Sequence, residues 1–316
     1  SGTPIENSLE DLWSLMSLAV PGLLSSHSSF NEKFRRPIEA GRSPDLLNLL
    51  HSLIAPFVLR RTKEEVAPEL PERVETLLPV PLGRKQRQIY DRYLTRERAR
   101  LLHLELENDT RERFEVLAAL TRLRQLSLDP ALVDQRYDSV GSAKIDLLCE
   151  HLEQILPLGH KVLVFSQFVA FLERIRRSLE QRGIASLLLE GKTRNRHAVI
   201  DEFQHGDVQV FLISLKAGGV GLTLTQADYV YMMDPWWNPS VEAQAVNRAH
   251  RIGQDRRVNV YRLVAQDTIE EKVCQLQAHK QLLVDSVVGQ NLGEGRSSAG
   301  IQQLLKLIQE DQDERV

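Results

Sequence analysis

Residues 161–214 have the sequence KVLVFSQFVAFLERIRRSLEQRGIASLLLEGKTRNRHAVIDEFQHGDVQVFLIS, in which short apolar runs alternate with longer helical segments. Three such runs occur, at 161–166, 185–190 and 208–214. The segments between them, 168–182 and 194–205, space their apolar residues as an amphipathic helix does. Strands that alternate with helices predict a parallel sheet covered by helices on both faces, which is an α/β fold.

The same alternation continues on both sides of this stretch. A helix is predicted upstream at 142–156. Two further strands and two further helices are predicted downstream, at 229–234, 239–252, 258–264 and 268–287. The pattern predicts a doubly wound domain, and sheets of this kind bind their ligands at the carboxyl ends of the strands.

The first 140 residues have a different, mostly helical pattern. Residues 6–20 predict an amphipathic helix that Pro21-Gly22 ends, and residues 74–82 predict an extended segment. Shorter helices are predicted at 28–40 and 44–55, and a long helical segment from about 83 to 128. Between Arg84 and Arg124 there are 11 Lys and Arg against seven Asp and Glu, a net charge of +4 that is typical of a solvated helical face.

The composition excludes several classes of protein. The 316 residues are 42% hydrophobic, which is enough to form the cores of about two domains. The net charge of −3 argues against a polycation that binds nucleic acid by overall charge alone. Cys149 and Cys274 lie far apart with no histidine cluster, so neither a disulfide framework nor a metal site is predicted. No apolar run approaches the roughly 20 residues of a membrane span. We therefore expect no membrane partner.

The segment DPWWNPSVEAQAVNRAHRIGQ, residues 234–254, directly follows the fourth predicted strand. Asn238 is a favourable N-cap, Pro239 suits the first helical position, and Gly253 suits a helix end. A helix is therefore predicted from Pro239 to about Ile252.

Three polar residues of this helix would lie on one face. Gln244, Arg248 and Arg251 are spaced i, i+4 and i+7. Two guanidiniums on one face suit the negative charge of a phosphoryl group in transfer. Spacing alone is equally consistent with ordinary surface charges.

A glycine-rich turn follows another predicted strand, in FLISLKAGGVGLTLTQADYV, residues 211–230. Gly218, Gly219 and Gly221 allow a tight turn whose backbone N–H groups approach an anion, and Lys216 adds a positive charge. As an isolated signal this motif is weak, because such glycines are also common in turns without a ligand.

A second segment only imitates a phosphate loop. Gly191-Lys192-Thr193 matches the end of G-x-x-x-x-G-K-[ST], but the glycine that the motif requires would be at position 186, which is Ser186. No D-E-x-[DH] strand end that could hold Mg²⁺ occurs in the sequence either. The 316 residues therefore contain no phosphate loop and no magnesium motif of the kind that nucleotide hydrolases use.

Five blocks of the sequence resemble, in order, motifs of the Swi/Snf family of superfamily 2 helicase-like ATPases. The blocks are SGTPIENSLEDLW (1–13), APFVLRRTKEEV (55–66), KVLVFSQF (161–168), LISLKAGGVGLTL (212–224) and DPWWNPSVEAQAVNRAHRIGQ (234–254). The resemblance spans residues 1 to about 275, and the last block is the most specific.

The resemblance implies a motor of two RecA-like lobes that grip double-stranded DNA and hydrolyse ATP between them. The first lobe of such a motor holds ATP and Mg²⁺, and the chain begins at a motif late in that lobe, so we expect a carboxyl-terminal part whose partners are duplex DNA and the preceding lobe. The implied divisions are the end of lobe 1 (1–66), a linker and helical protrusion (67–140), RecA-like lobe 2 (141–290) and a tail (291–316).

The resemblance also implies roles for individual residues near the nucleotide. Arg248 and Arg251 would be arginine fingers that reach the γ-phosphate of ATP, with Gln244 beside them. Thr3 and Asn7 match the motif that senses the nucleotide from lobe 1.

Further residues match blocks that face DNA. Ser166 and Gln167 match the block that lines the DNA path, and Lys192 and Thr193 correspond to a turn near the DNA backbone. The block at 212–224 couples the nucleotide state to a DNA phosphate. In it, the implied phosphate contacts are Ser214, Lys216 and Gly218, and the implied coupling residues are Gly219 and Gly221.

The sequence departs from the family pattern in three places. Ala243 and Asn247 each stand where the family usually has a carboxylate near the arginines, and Glu6 stands where a glutamine is common. The arginines themselves are retained, which is compatible with hydrolysis, whereas different salt links are expected around them.

Two alternative functions remain open from the sequence. The chain could act as an ATP-independent adaptor that binds DNA or protein, or as part of a bacterial motor that acts on RNA polymerase or another nucleoprotein complex. The compact helical insert favours a prokaryotic source and a cytoplasmic, nucleoid-associated location; a eukaryotic source would imply the nucleus.

Overall fold

The computed structural model describes residues 8–39, 44–59, 61, 63–101, 110–217 and 222–277. Within them the chain forms two compact units, one built mainly from residues up to Pro68 and the other mainly from 69–236 and 241–273. Several predicted features lie outside the described residues: Thr3, Asn7, Gly218, Gly219, Gly221 and the segment 291–316.

The first unit is helical, and its leading helix α1 spans Leu9–Ala19. It begins at a capping box in which the Ser8 hydroxyl accepts the Glu10 N–H (3.2 Å) and the Asp11 carboxylate accepts the Ser8 N–H (3.2 Å). Its apolar face is buried in the core of the unit with residues from the later helices. The helix predicted at 6–20 is confirmed.

The remaining helices of this unit confirm the helices predicted at 28–40 and 44–55. They are α2 (His27–Phe30), a π-helical turn (Asn31–Arg35), α3 (Arg36–Glu39), α4 (Pro44–Ile54), a 3₁₀ turn (Ala55–Phe57) and α5 (Lys63–Val66). The segments from His27 to Glu39 follow one another without a break, so the π turn adds one wide turn to an otherwise regular helix.

The second unit is built on one parallel sheet of six strands, which confirms the predicted fold class. The strands are β1 (Arg73–Val80), β2 (Val162–Ser166), β3 (Ser186–Leu189), β4 (Val210–Ser214), β5 (Tyr229–Met232) and β6 (Val258–Ala265). Their order in the sheet is β1-β6-β5-β2-β4-β3. The five strands predicted from apolar runs are all present.

The extended segment predicted at 74–82 is the edge strand β1. It pairs with β6 along its whole length, from Arg73 opposite Val258 to Val80 opposite Ala265. Exposed and partly buried residues alternate along it until Val80, as expected of a strand with one solvated face.

Helices cover both faces of this sheet. Of the helices of this unit, α6 (Arg84–Leu101) and α7 (Thr110–Leu128) pack against each other, whereas α8 (Ala143–Ile155), α9 (Val169–Gln181), α10 (Arg196–His205) and α11 (Pro239–Val246) pack against the sheet. The backbone is also helical over residues 269–277. Val162 and Val164 of β2 pack with α8 and α9, whereas Leu163 and Phe165 pack with α10 and α11. Because β2 is buried on both faces, its sequence is a continuous apolar run.

Candidate functional site

The central strands place polar side chains at the carboxyl edge of the sheet. Ser166 ends β2 and Ser214 ends β4, and the two residues are register partners. Both are buried, and the Ser166 hydroxyl accepts the Phe168 N–H at 3.1 Å. The structure thus brings these two predicted DNA contacts together, with the Ser166 hydroxyl already bonded to the turn that follows its strand.

Gln167 lies next to this pair and is held by two bonds. Its backbone N–H donates to the Asp234 carboxylate (3.3 Å to Oδ1), and its side-chain Oε1 accepts from Arg124 Nη1 at 3.2 Å. Its side-chain Nε2 is buried and has no partner among the described residues. That buried donor is therefore left without an acceptor in the described part of the chain.

Arg124 is a site residue that the sequence did not reveal. Its guanidinium is 4% exposed; it donates to the Pro235 carbonyl and lies 3.8 Å from Asp234 Oδ2. The Phe168 ring lies 5.7 Å from it and the Trp236 ring 6.0 Å, within the range of cation–π attraction. Arg124 therefore ties α7 to the loops that follow β2 and β5.

A signal for the burial of Arg124 exists in the sequence. Val116 and Leu120 lie eight and four residues before it, so it falls on the buried face of α7. The positive net charge of the segment predicted a solvated face, and most of the neighbouring arginines are indeed exposed or partly buried, so the buried position of Arg124 was missed.

A second buried cation lies at the same edge of the sheet. Lys144 Nζ donates to the carbonyls of Met233 (2.6 Å) and Leu263 (2.8 Å) and to Glu270 Oε2 (2.6 Å). Neither Lys144 nor Glu270 has any exposed surface, and burial raises the pKa of the Glu270 carboxyl. The same carboxylate oxygen accepts the Ala265 N–H at 2.8 Å. The pair fastens the ends of β5 and β6 to the following helix.

The helix predicted at 239–252 is wrong in its second half. Helix α11 ends at Val246, beyond which the bonding is irregular. The N–H groups of Asn247 and His250 still reach four residues back, whereas those of Arg248 and Ala249 reach only three, to Ala245 (3.2 Å) and Val246 (3.1 Å). The Arg248 carbonyl instead accepts the Leu224 N–H at 2.9 Å. This contact with a distant segment ends the helix before Gly253.

The predicted row of side chains on one helix face is therefore also wrong. Arg248 and Arg251 lie in the turns beyond α11, where Arg248 is buried and Arg251 is exposed. Gln244 lies on α11 and is exposed. The two arginines still lie near each other, since the charge of Arg251 contributes to the pKa of Arg248.

Arg248 is buried and has no carboxylate partner among the described residues. It is 7% exposed, and its Nε has no hydrogen-bond partner among the described residues. Burial, and next the positive charge of Arg251, lower the pKa of the Arg248 guanidinium. Arg251 Nη1 donates to the Thr223 hydroxyl at 3.2 Å. An uncompensated buried cation beside a second cation suits an anionic ligand.

Nearby carboxylates do not neutralise Arg248. Glu242 is 1% exposed, and it accepts the Trp236 N–H at 2.6 Å and pairs with Arg262, which also reaches Glu75 at 3.2 Å. The Glu242 carboxylate is therefore engaged by Trp236 and Arg262.

The predicted contacts outside this cluster lie on turns. The Thr193 hydroxyl accepts the Glu190 N–H at 3.0 Å and closes the turn after β3, while Lys192 is exposed on that turn. Lys216 is exposed just beyond β4. Their contact with DNA stays a prediction.

The described residues offer a cation for phosphate but no donor set for a metal. Among them, no group of three or more His, Cys, Asp or Glu side chains could hold a metal ion. No helix in this part of the chain is long and apolar enough to cross a membrane.

A six-stranded parallel sheet with helices on both faces is the architecture of a RecA-like lobe. Residues 1–132 match the SNF2-related domain, and residues 143–253 match the helicase conserved C-terminal domain. The chain belongs to the Swi/Snf family of helicase-like ATPases.

Similar proteins come from bacteria, archaea and plants. An uncharacterized ATP-dependent helicase of Mycoplasma pneumoniae is 35% identical over 98% of this chain and 29% of its own length. An ISWI chromatin-remodeling complex ATPase of Arabidopsis thaliana is 34% identical over 91% and 28%. The Sulfolobus solfataricus SWI2/SNF2 ATPase core, solved in complex with double-stranded DNA, has 33% identity and a TM-score of 0.57 over 92% of this chain and 62% of its own. This chain spans about 30% of the length of the curated relatives.

Proposed function

We propose that this chain is the part of an ATP-dependent double-stranded DNA translocase that supplies arginine fingers and contacts to the DNA backbone. The buried guanidinium of Arg248, unneutralised among the described residues, is the observation that carries the proposal. A cation in that state is stabilised when a phosphate approaches it, and it stabilises the charge that develops during phosphoryl transfer.

Arg251 has the complementary property of being exposed. Its bond to Thr223 is made through one nitrogen, so its guanidinium retains donors for a ligand. We infer that Arg251 reaches the γ-phosphate and that Arg248 neutralises charge behind it. Gln244, exposed on the preceding helix, orients polar groups near the two arginines.

The nucleotide itself requires groups from another RecA-like lobe. When bound, ATP supplies the phosphoryl group and its Mg²⁺ neutralises part of the phosphate charge. The 316 residues contain neither G-x-x-x-x-G-K-[ST] nor D-E-x-[DH]. We therefore expect the chain alone not to hydrolyse ATP, and to do so when it follows a lobe that carries both motifs.

Duplex DNA is the proposed track. Support comes from the exposed Lys192 and Lys216 and from the orphan amide of Gln167 at the edge of the sheet. The Sulfolobus relative was solved with double-stranded DNA, which favours the same ligand here. On the strength of the family motifs, the proposal also includes five further residues. Coupling roles are proposed for Thr3, Asn7, Gly219 and Gly221, and a phosphate contact for Gly218.

The test is hydrolysis by the two-lobed motor in which a phosphate-loop lobe precedes this chain. Arg251→Ala should lower the DNA-stimulated turnover by about 10³–10⁵, the range known for arginine fingers. Arg176→Ala, on the exposed surface of α9, is the matched control and should leave turnover unchanged. Undiminished turnover of the Arg251→Ala motor would refute the finger assignment.

The same assay separates the proposed track from other ligands. Turnover is measured with duplex DNA, single-stranded DNA, RNA and no nucleic acid. Stimulation by the duplex above all others is expected. A motor that RNA or a nucleoprotein stimulates more than naked duplex would instead favour a different substrate.

A further inference from the structure

Helix α6 of the second unit carries far more positive than negative charge. Its 18 residues include seven basic side chains, Arg84, Lys85, Arg87, Arg92, Arg96, Arg98 and Arg100. Its two acidic residues are both engaged: Glu97 is buried against Arg122 (2.8 Å), and Asp91 pairs with Arg87 (3.4 Å). Neither acid neutralises the exposed side of the helix.

Three of these basic residues form a line, here called the basic stripe: Lys85, Arg92 and Arg96. At 3.6 residues per turn, positions i, i+7 and i+11 lie within about 40° of one another, and the line extends about 16 Å along the axis. All three side chains are exposed. No carboxylate of the described residues lies within salt-bridge distance of any of them.

Helix stability does not explain the stripe. The first turn of α6 contains Arg84 and Lys85 and no acidic residue, so positive charge lies at the positive end of the helix dipole. Arg98 and Arg100, in the last turn, are placed favourably for the dipole, but Lys85, Arg92 and Arg96 are not. The three positive charges of the basic stripe therefore have neither a favourable interaction with the helix dipole nor a charged partner in the described part of the chain.

We propose that the basic stripe binds the phosphate backbone of duplex DNA, as a contact line on the helical protrusion outside the α/β lobe. The proposal rests on duplex DNA being the track. Protein interfaces have an apolar core, and α6 exposes no large apolar side chain. Interfaces with DNA are polar and strongly positive, and a 16 Å line matches about five nucleotides at 3.4 Å each.

The experiment measures binding of the full chain to a fluorescent DNA duplex of about 30 base pairs at several salt concentrations. Each phosphate contact contributes about 0.9 to the slope of log K against log salt. The variant Lys85→Gln/Arg92→Gln/Arg96→Gln should therefore lower the slope by about 2.7 and weaken binding at low salt at least tenfold. Each single substitution should lower it by about 0.9.

A matched control removes the same charge elsewhere. Arg136→Gln/Arg176→Gln/Arg182→Gln removes three arginines that each have a carboxylate partner, Asp134, Glu180 and Glu153 respectively. This control should retain the wild-type slope. Circular dichroism checks that both triple variants are folded, and the single variants provide the test if the stripe variant is not.

Three outcomes would overturn the proposal. If the stripe variant binds as tightly as the wild type with the same slope, the stripe does not contact DNA, and the proposed function is unaffected. An equal loss in both triple variants would mean that only overall charge matters. Failure of the wild-type chain to bind the duplex, with stripe-dependent binding of polyglutamate, would assign the surface to an acidic protein and contradict the proposed track as well.

Discussion

Two buried cations of the second unit, Lys144 and Arg248, have opposite environments. The ammonium group of Lys144 donates to three acceptors, two backbone carbonyls and the Glu270 carboxylate, all within 2.8 Å. Arg248 has a buried Nε with no partner among the described residues and a second cation, Arg251, nearby. The first arrangement is complete without a ligand, whereas the second lacks, among the described residues, the counter-charge that an anion would supply.

The contrast separates a buried charge that the fold satisfies from one that lacks a partner among the described residues. Burying a charge is costly unless hydrogen bonds and a counter-charge replace the lost water. Lys144 meets both conditions, so its removal should damage the fold. Arg248 meets neither among the described residues, so its removal should damage ligand binding and spare the fold. Arg124 lies between these extremes, since its partners are a carbonyl, an amide and a carboxylate at 3.8 Å.

The largest expected effect on stability is that of Lys144→Met. The substitution leaves the Glu270 carboxylate buried without its counter-charge and removes the donor to two carbonyls. Breaking one side of a buried pair costs about 3–5 kcal/mol. Unfolding of the full chain in urea, followed by circular dichroism, measures the loss.

The double variant Lys144→Met/Glu270→Leu is the control for that loss. Replacing both partners by apolar groups removes the unpaired charge, so most of the stability should return. A double variant as unstable as Lys144→Met would show that packing volume, not the unpaired carboxylate, decides the cost.

A smaller loss is expected for Arg124→Ala. The change leaves the Pro235 carbonyl without its donor and Asp234 without its nearby cation, and hydrogen bonds to charged groups contribute about 1.5–3 kcal/mol each. We expect a loss of about 2–3 kcal/mol in urea unfolding. Arg124→Lys keeps the charge but not the planar fork, so it should recover only part of the stability. Full recovery by lysine would mean that the charge alone matters.

Gly253→Ala should have a still smaller effect on stability, because it changes only a backbone conformation in the loop between α11 and β6. Gly253 has φ +99°, where an L-residue is strained by about 1–2 kcal/mol, and a Cβ would meet only Thr225 Oγ1, at 3.9 Å. The cost is therefore conformational. Gly191→Ala, where a Cβ meets no atom within 4 Å, is the control and should be near neutral. Equal melting temperatures of the two variants would contradict this account.

The sequence predicts the sheet well because most of its strands carry a local signal. β2 and β4 are buried on both faces, so their apolar runs are unambiguous. The end of α11 could not be predicted, since the helical pattern continues to Gly253 and the bond that ends the helix comes from Leu224. The Lys144 site could not be predicted either, because the acceptors of Lys144 lie 89 to 126 residues away in the sequence.

The smallest effect on stability, and the sharpest contrast with Lys144, is expected for Arg248→Met. Methionine fills much of the same space without a charge, so the free energy of unfolding should stay the same or rise by up to about 1 kcal/mol. In the two-lobed motor the same change should lower ATP turnover by orders of magnitude, because the cation that answers the phosphate charge is lost. The comparison of urea unfolding with turnover decides the role. A loss of several kcal/mol would place Arg248 with Lys144 among the charges that hold the fold together.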